Sequence, residues 1–173
     1  ILATGSVPFV PPIQGLSGGG AVLVDDVLEG RAPVGRRVAI IGGGAIGAET
    51  AHLLVEEEDR EVYLIEMRDG IAVDLPQDAR ICLLHAFEQT PSLHQITNAK
   101  VTESITLERQ GQTAVVDRLD TIILAVGARP NQGLRPALEA LGIPFLVSGD
   151  ATGPKDYVKA IYEGFVAGNT IAE

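Results

Sequence analysis

This chain contains the stretch VAIIGGGAIGAETA at residues 38–51, which predicts a strand, a glycine-rich turn and the start of a helix. Residues 38–41 are apolar and mostly β-branched, as in a parallel strand that is buried on both faces. Gly42, Gly44 and Gly47 follow at the spacing GxGxxG. In this context the three glycines indicate a loop that holds a pyrophosphate at a helix N-terminus, where free N–H groups and the helix dipole favour negative charge.

An acidic residue follows at the distance that this fingerprint requires. Residues 62–65 form a second apolar run, and Glu66 comes directly after it. A carboxylate in that position accepts hydrogen bonds from the ribose hydroxyls of an adenosine. A tight strand-to-helix turn without a ligand is the alternative explanation of the glycines, and the placement of Glu66 argues against it.

Glu66 and Arg68 bear on which nicotinamide cofactor fits this site. Two like charges about 4 Å apart repel by roughly 4 kcal/mol at an intermediate dielectric constant, so Glu66 disfavours the 2′-phosphate of NADP(H). Arg68 argues in the other direction, because an arginine just beyond this strand can accommodate that phosphate. We expect NAD(H) to be preferred over NADP(H).

The composition predicts a globular, cytoplasmic protein. With 173 residues, of which 46% are hydrophobic, the chain is long enough for one core or two small ones. A net charge of −10, without a cluster of Lys or Arg, argues against a nucleic-acid partner. The sequence contains neither an apolar span of about 20 residues nor a basic signal-peptide start, so we expect no membrane partner.

Residues that commonly form disulfides or bind metals are few in this sequence. Cys82 is the only cysteine, which excludes a disulfide framework and a CxxC pair, and we expect it to be a small buried hydrophobe. His52, His85 and His94 are not spaced as a metal cluster, and we expect them on helix faces or at the surface. The only methionine is Met67, which favours a piece cut from a longer polypeptide.

Periodicity along the rest of the chain predicts an α/β fold with a Rossmann-like parallel sheet. Val101, Ile105 and Leu107 keep a partial alternation, and Gly111 separates them from residues 114–119, which favours an antiparallel β-hairpin or meander beside that sheet. Residues 8–20 are predicted to be a connector whose glycines bind no phosphate, and the acidic residues 56–61 a solvated loop. Further strands are predicted at residues 1–3, 21–24, 121–126 and 145–147, and helices at residues 25–29, 45–57, 75–89, 134–141 and 158–166, the last of them amphipathic.

Two segments share the order Leu, Ala, Gly, Pro at equal offsets. They are LATGSVP at residues 2–8 and LAVGARP at residues 124–130. The repeat indicates two nucleotide-binding domains, of which one is mostly absent. Asp150 follows a predicted strand, where an acid can hold a polar ligand at the carboxyl edge of a sheet. A helix N-cap or a turn position is an equal alternative for Asp150.

The ordered motifs ATGSVP, GGGAIGAE, LAVGARPN and SGDA resemble the C-terminal half of a group of flavin oxidoreductases. That group comprises relatives of 2,4-dienoyl-CoA reductase, NADH oxidases of the old-yellow-enzyme type and trimethylamine dehydrogenase, and its two-domain plan also occurs in the broader pyridine nucleotide-disulfide oxidoreductase class. The resemblance implies an NAD(P)H-binding Rossmann-like domain at residues 31–135, inserted in a partial FAD domain. Residues 1–30 then correspond to an FAD-domain remnant with its connector, and residues 136–173 to the C-terminal part of the FAD domain.

The same resemblance implies roles for individual residues. Glu49 matches an acid near the nicotinamide, with a first-turn acid stabilised by the helix dipole as the alternative. Gly127 and Ala128 match the turn that lines the cofactor cleft, and Asp150 matches the acid that holds hydroxyl groups of FAD, or of ADP where that replaces it. No residue is predicted to be catalytic or to bind a metal. The predicted cofactor-binding residues are Gly42, Gly43, Gly44, Ala45, Ile46, Gly47, Glu49, Glu66, Arg68, Gly127, Ala128, Gly149 and Asp150.

These features predict a dinucleotide-binding fragment of a flavin-dependent NAD(P)H oxidoreductase, which positions NADH for hydride transfer to a flavin. The alternatives are a fragment of a ferredoxin- or rubredoxin-reductase-like flavoprotein and a non-catalytic ADP-binding module. Because the FAD domain's own glycine fingerprint is absent, the chain alone is expected to be inactive. FMN and an iron–sulfur cluster are expected only if a missing N-terminal flavin domain carries them. That domain is the predicted protein partner, and a homo-oligomer is compatible with the sequence.

Overall fold

The computed structural model describes every residue except 17–18, 58, 104–105, 110 and 172–173. The chain divides into two compact units, a central unit of Val10–Val126 and a flanking unit of Ile1–Phe9 with Gly127–Glu173. Three residues interpreted from the sequence lie outside the described part: Gly18 of the connector, Glu58 of the acidic loop and Ile105 of the hairpin.

Most of the strands and helices are short. The strands are β1 (Ser6–Pro8), β2 (Val22–Leu23), β3 (Arg37–Ile41), β4 (Glu61–Ile65), β5 (Leu93–Ile96), β6 (Ala99–Glu103), β7 (Thr106–Arg109), β8 (Gln112–Val115), β9 (Thr121–Leu124) and β10 (Ala128–Pro130). The helices are α1 (Val24–Leu28), α2 (Ala45–Val55), α3 (Gln77–Glu88), α4 (Arg135–Ala140) and α5 (Tyr157–Ile171), and a short 3₁₀ turn spans Gly149–Ala151.

The central unit is built on a five-stranded parallel sheet with the order β2-β9-β3-β4-β5. β3 lies in the middle and pairs with β4 on one side and β9 on the other. Because neighbours on both sides and layers on both faces cover it, its residues Val38 and Ile40 are fully buried. The unbroken apolar run that leads into the glycines is therefore a central parallel strand, as the sequence predicted.

Alternate residues of the sheet face two different layers. One core cluster joins sheet residues to α2 and α3 and contains Val38, Ile40, Ala48, Ala51, Leu54, Val62, Leu64, Leu83 and Phe87. The other joins the opposite face to the antiparallel meander β6-β7-β8 and contains Ala39, Ile41, Ile65, Val101, Leu107, Val116 and Leu124. The predicted α/β fold, a Rossmann-like parallel sheet with an antiparallel meander, is confirmed.

The flanking unit corrects the predicted ends of two strands. Strands were predicted at residues 1–3 and 145–147. Each of them is reduced to one residue, because Leu2 and Val147 form a single parallel bridge. The segments that follow the predicted strands at residues 1–3 and 121–126 contain β1 and β10, which pair antiparallel. The two repeated segments thus pair with each other, and Pro8 is tolerated because it ends an edge strand.

The exposure of Cys82 contradicts its predicted burial, and helix α5 leaves its apolar face exposed. Cys82 is exposed rather than buried, because α3 turns Leu83 and Phe87 towards the core and leaves Cys82 on the neighbouring face. Helix α5 buries only Ala167, and its apolar side chains Val158, Ile161, Tyr162, Phe165 and Val166 are between 43% and 68% exposed. Despite that apolar face, none of the described helices combines the length and hydropathy needed to cross a membrane.

A group of polar side chains links three neighbouring strands of the central sheet. Arg37 on β3 donates a hydrogen bond to the Tyr63 hydroxyl, which in turn donates to Oε1 of Glu61 at 2.6 Å. His94 on β5 lies 3.1 Å from the same oxygen and stacks on the Tyr63 ring. The hydrogen bonds of Glu61 with Tyr63 and His94, together with the positive charge of Arg37, outweigh burial and lower the pKa of the Glu61 carboxyl.

The Glu61→Gln variant is expected to be less stable than the wild type at neutral pH and equally stable in acid. A carboxyl whose pKa is lowered in the folded state stabilises the fold above its unfolded pKa, and the benefit is lost as the pH falls through the folded pKa. Because the group is half-exposed, we expect a decrease in melting temperature of about 2 °C at pH 7. Thermal unfolding between pH 7 and pH 3 measures it, with Glu108→Gln on β7 as the control; an equal difference at every pH would contradict the prediction.

Candidate dinucleotide site

The glycine loop connects the end of β3 to the start of α2 and needs glycine for two different reasons. Gly42 has a φ of 107°, and a Cβ atom there would lie 2.3 Å from the carbonyl oxygen of Ala125. Gly47 lies in the first turns of α2, where a Cβ atom would lie 1.9 Å from the Gly42 carbonyl oxygen. Gly44 precedes the helix as its N-cap, with an extended backbone. These conformations allow the tight turn and the close packing of helix on strand that the fingerprint requires.

The N-terminus of α2 retains backbone donors. The first hydrogen bond of the helix runs from the Ala48 N–H to the Gly44 carbonyl at 2.9 Å. Ala45 donates instead to a side chain, Oδ1 of Asp74, at 2.9 Å. Within the described residues, no protein acceptor is recorded for the N–H groups of Ile46 and Gly47. An anion can therefore bind here to backbone donors and to the positive end of the helix dipole.

Glu66 follows β4 and is 5% exposed, beside the glycine loop. Its Oε2 accepts a hydrogen bond from the Gly43 N–H at 2.8 Å. Its Oε1 accepts from the backbone N–H of Arg68 at 2.8 Å and from the Arg68 side-chain Nε at 3.1 Å. Burial would raise the pKa of the Glu66 carboxyl, but the hydrogen bonds from Arg68 and Gly43 outweigh it and hold the pKa below its ordinary value. An ionised carboxylate thus stands where the sequence expects the ribose acid.

The segment after Arg68 packs over the glycine loop. Ala72 is fully buried, and its N–H donates to the Gly43 carbonyl at 2.7 Å. A Cβ atom at Gly43 would lie 2.6 Å from Cδ1 of Ile71 and 2.8 Å from Cβ of Glu66. Gly43 is therefore enclosed from two sides. This explains why residue 43 is also a glycine, although the GxGxxG fingerprint accepts any residue at that position.

Glu49 lies on α2 beyond its first turn. The helix begins at Ala45 and has no acidic residue in the first turn, so the alternative of a first-turn acid stabilised by the dipole is wrong. The side chain is exposed and lines a groove between α2 and α3 together with His52, Leu75 and Cys82. Its role near a nicotinamide stays a prediction.

The remaining predicted residues lie in the flanking unit. Gly127 has a φ of 88° and accepts a hydrogen bond from Phe9 at 2.9 Å, and Ala128 begins β10. Asp150 lies in the 3₁₀ turn rather than at a helix N-cap, because α5 begins at Tyr157 and Asp156 accepts the hydrogen bond from the Lys159 N–H. Asp150 borders a cavity of about 530 Å³, and Ser6 donates to its Oδ2 at 3.4 Å.

Two acids in these surroundings are absent from the sequence predictions. Asp74 reaches Ala45 across 29 residues of chain. Glu163 of α5 accepts hydrogen bonds from the Gly149 N–H at 2.8 Å and from the Thr152 hydroxyl, and so holds the turn that carries Asp150. Neither belongs to a spaced motif, so only the three-dimensional packing could reveal them.

Comparisons with known proteins find related sequences and structures. Residues 1–157 match the pyridine nucleotide-disulphide oxidoreductase family. A bilirubin reductase of Mediterraneibacter gnavus is 34% identical, over 99% of this chain and 27% of its own length. An NADH oxidase of Thermoanaerobacter brockii is 32% identical, over 95% of this chain and 26% of its own length. The chain therefore spans about a quarter of the length of these curated relatives.

Solved structures extend the similarity to three dimensions. A 2-naphthoyl-CoA reductase in complex with 2-naphthoyl-CoA superposes with a TM-score of 0.80 at 25% identity, over 94% of this chain and 25% of that one.

Proposed function

This chain belongs to the pyridine nucleotide-disulphide oxidoreductase family, and on that premise we propose that it is the nucleotide-binding part of a flavin-dependent NAD(P)H oxidoreductase. The observation that carries the proposal is the start of α2, where the N–H groups of Ile46 and Gly47 find no acceptor in the described part of the chain. These backbone donors would neutralise a diphosphate, while Glu66 selects the ribose. Bound NADH supplies a hydride for a flavin, and the chain itself contributes binding and orientation.

The two nucleotide sites differ in how completely this chain provides them. The glycine loop of the central unit fits a diphosphate, because it leads to the start of α2, where the N–H groups of Ile46 and Gly47 have no protein acceptor among the described residues. In the flanking unit Gly149 and Asp150 would hold hydroxyl groups of FAD or ADP, beside Gly127 and Ala128. The sequence has only one GxGxxG, so a second diphosphate loop has to come from elsewhere. Its single cysteine likewise cannot supply the four thiolates that hold an iron–sulfur cluster, so most ligands of such a cluster would have to come from elsewhere.

NAD(H) is the cofactor that the site favours over NADP(H). Glu66 is ionised because its pKa is lowered, and a 2′-phosphate would place a second negative charge beside it. Arg68 could offset that repulsion, but its Nε already donates to Glu66. A ribose with two free hydroxyl groups adds no charge and offers donors to the same carboxylate. The site therefore prefers the cofactor without the 2′-phosphate.

Within the family we propose kinship with the 2,4-dienoyl-CoA reductase, old-yellow-enzyme-type NADH oxidase and trimethylamine dehydrogenase group. The order of the four motifs along the chain and the 25% identity to the 2-naphthoyl-CoA reductase structure support it. The division into an NAD(P)H domain at residues 31–135 within FAD-domain segments at residues 1–30 and 136–173 belongs to the same proposal. The boundaries between the two compact units of the structure lie elsewhere, between residues 9 and 10 and between residues 126 and 127.

The exposed apolar face of α5 supports a further partner within the same polypeptide. Val158, Ile161, Tyr162 and Phe165 are each at least 60% exposed, which is unusual for so large a contiguous group. The curated relatives are about four times as long as the stretch that this chain matches. We propose that the flavin domain of the longer polypeptide covers this face.

Titration calorimetry of the full chain with NADH, NADPH and ADP tests the proposed function. NADH is expected to bind about tenfold more tightly than ADP, because contacts to the nicotinamide half contribute on the order of 1.4 kcal/mol. NADPH is expected to bind more weakly than NADH. If ADP binds as tightly as NADH, the nicotinamide makes no contacts, and a non-catalytic ADP-binding module becomes the better description.

A further inference from the structure

Asp74 places a carboxylate where the proposed function needs a diphosphate. Its Oδ1 accepts the hydrogen bond of the Ala45 N–H at 2.9 Å, the first backbone donor of α2. Its Oδ2 lies 3.2 Å from the position that a Cβ atom would take at Gly44. Gly44 is the fingerprint glycine whose missing side chain lets a pyrophosphate approach the backbone. The carboxylate of Asp74 therefore occupies part of the space, and one of the donors, of the proposed pyrophosphate site.

The backbone around Asp74 is fixed, but its side chain is not enclosed. Ala72 is fully buried, and its N–H donates a hydrogen bond to the Gly43 carbonyl. The Leu75 N–H donates to the Ala72 carbonyl at 3.1 Å. Arg80 on α3 donates through Nε to the Ile71 carbonyl at 2.7 Å. Asp74 itself is exposed, and in the described part of the chain its side chain accepts a hydrogen bond from Ala45 alone. Rotation of one side chain can therefore release the donor without moving the segment.

We propose that Asp74 is an internal anion that caps the pyrophosphate site in the free protein and has to leave when a dinucleotide binds. This inference rests on the proposed function, whose site it regulates. A carboxylate and a diphosphate compete for the same N–H group and the same positive helix end, and they repel each other. The capped state lowers the population that can bind, which reduces the apparent affinity by that fraction. Asp74 thus lowers the affinity of the site for the nucleotide by competing with the diphosphate.

Two substitutions separate the charge of Asp74 from its hydrogen bond. Asp74→Asn keeps an acceptor oxygen for Ala45 and removes the charge, whereas Asp74→Ala removes both. We expect Asp74→Ala to bind NADH and ADP about fivefold more tightly than the wild type, the factor that corresponds to loss of a typical helix cap. Asp74→Asn should also bind both more tightly. The advantage of Asp74→Asn should shrink as salt is added, because mobile ions screen repulsion between exposed charges.

Calorimetric titration of the full chain with ADP and NADH, at low and at high salt, makes the test. Asp69→Asn is the matched control, since it removes the same charge from an exposed position of the same segment. It should leave both affinities within twofold of the wild type. Circular dichroism of each variant establishes that it is folded.

The outcomes distinguish this inference from the proposed function. Tighter binding by both Asp74 variants, with Asp69→Asn unchanged, supports the cap. Wild-type binding of NADH with no gain in either Asp74 variant overturns the cap and leaves the proposed function standing. Equal gains in Asp69→Asn and Asp74→Asn would show a general charge effect and also overturn it. A wild type and variants that all fail to bind either nucleotide refute the proposed function itself.

Discussion

Replacing Gly47 with alanine is expected to weaken NADH binding by about 100-fold, because a shift of about 1 Å in groups that position a ligand has an effect of this order. A Cβ atom at this residue would lie 1.9 Å from the Gly42 carbonyl oxygen and 3.1 Å from Cβ of Ala125. Both obstacles belong to the loop and the strand end rather than to a flexible side chain. Helix α2 has to move away, and its N–H groups move with it. Overpacking of this kind also costs about 1–3 kcal/mol of stability.

Gly168→Ala on α5 is the control for this substitution. It makes the same chemical change within a helix, but a Cβ atom there meets nothing within 4 Å. We expect that variant to be stabilised by up to about 1 kcal/mol, since alanine is the better helix former, and to bind NADH as the wild type does. Calorimetry and thermal unfolding measure both effects. A Gly47→Ala protein with wild-type affinity and melting temperature would show that the loop does not bind a diphosphate through this geometry.

Replacing Glu66 with alanine is expected to reduce NADH affinity by roughly 10- to 100-fold, the range for hydrogen bonds to a charged group. The same change should leave NADPH affinity less affected, because it also removes the repulsion of a 2′-phosphate. The preference for NADH over NADPH therefore narrows. The loss of the carboxylate also leaves the Gly43 N–H without its acceptor, which destabilises the loop.

Dissociation constants for NADH and NADPH, measured on the wild type, Glu66→Ala and Arg68→Ala, check this prediction. Arg68→Ala distinguishes the effect of the Arg68 charge from that of Glu66, because it removes the side-chain Nε that donates to Glu66 and keeps the carboxylate. Because the pKa of Glu66 is lowered, the acid stays ionised between pH 8 and pH 6, and any narrowing of the wild-type preference in that range comes from protonation of the 2′-phosphate, whose second pKa is about 6. A ratio of dissociation constants that Glu66→Ala leaves unchanged would place the acid away from the ribose.

The sequence predicted the strand, the glycine turn and the helix of the candidate site well, because what these elements require is local. Gly42 and Gly47 are needed because a positive φ and a close backbone contact exclude a side chain, and both requirements belong to a few consecutive residues. Glu66 was expected from its distance to the loop, but its hydrogen bonds to Gly43 and Arg68 were not. The bond to Gly43 depends on how β4 lies beside β3, which no spacing rule describes, whereas the bond to Arg68 joins residues only two positions apart.

Burial was harder to predict than secondary structure. The periodicity of α5 correctly predicted an amphipathic helix, yet the described residues cover only Ala167. Periodicity indicates which side chains share a face, and the neighbouring elements decide whether that face is covered. The same holds for Cys82, whose exposure depends on the rotation of α3 over the sheet.

The amino-acid sequence by itself determined the order of strand, glycine loop, helix and acid, because chain sterics and hydrophobic periodicity act between near neighbours. Only the tertiary structure decided which groups meet across the chain. It pairs the two repeated segments as β1 and β10, and it brings Asp74 to the first donor of α2. Such contacts join residues far apart in sequence, and they exist only once the sheet has set the positions of the elements that carry them.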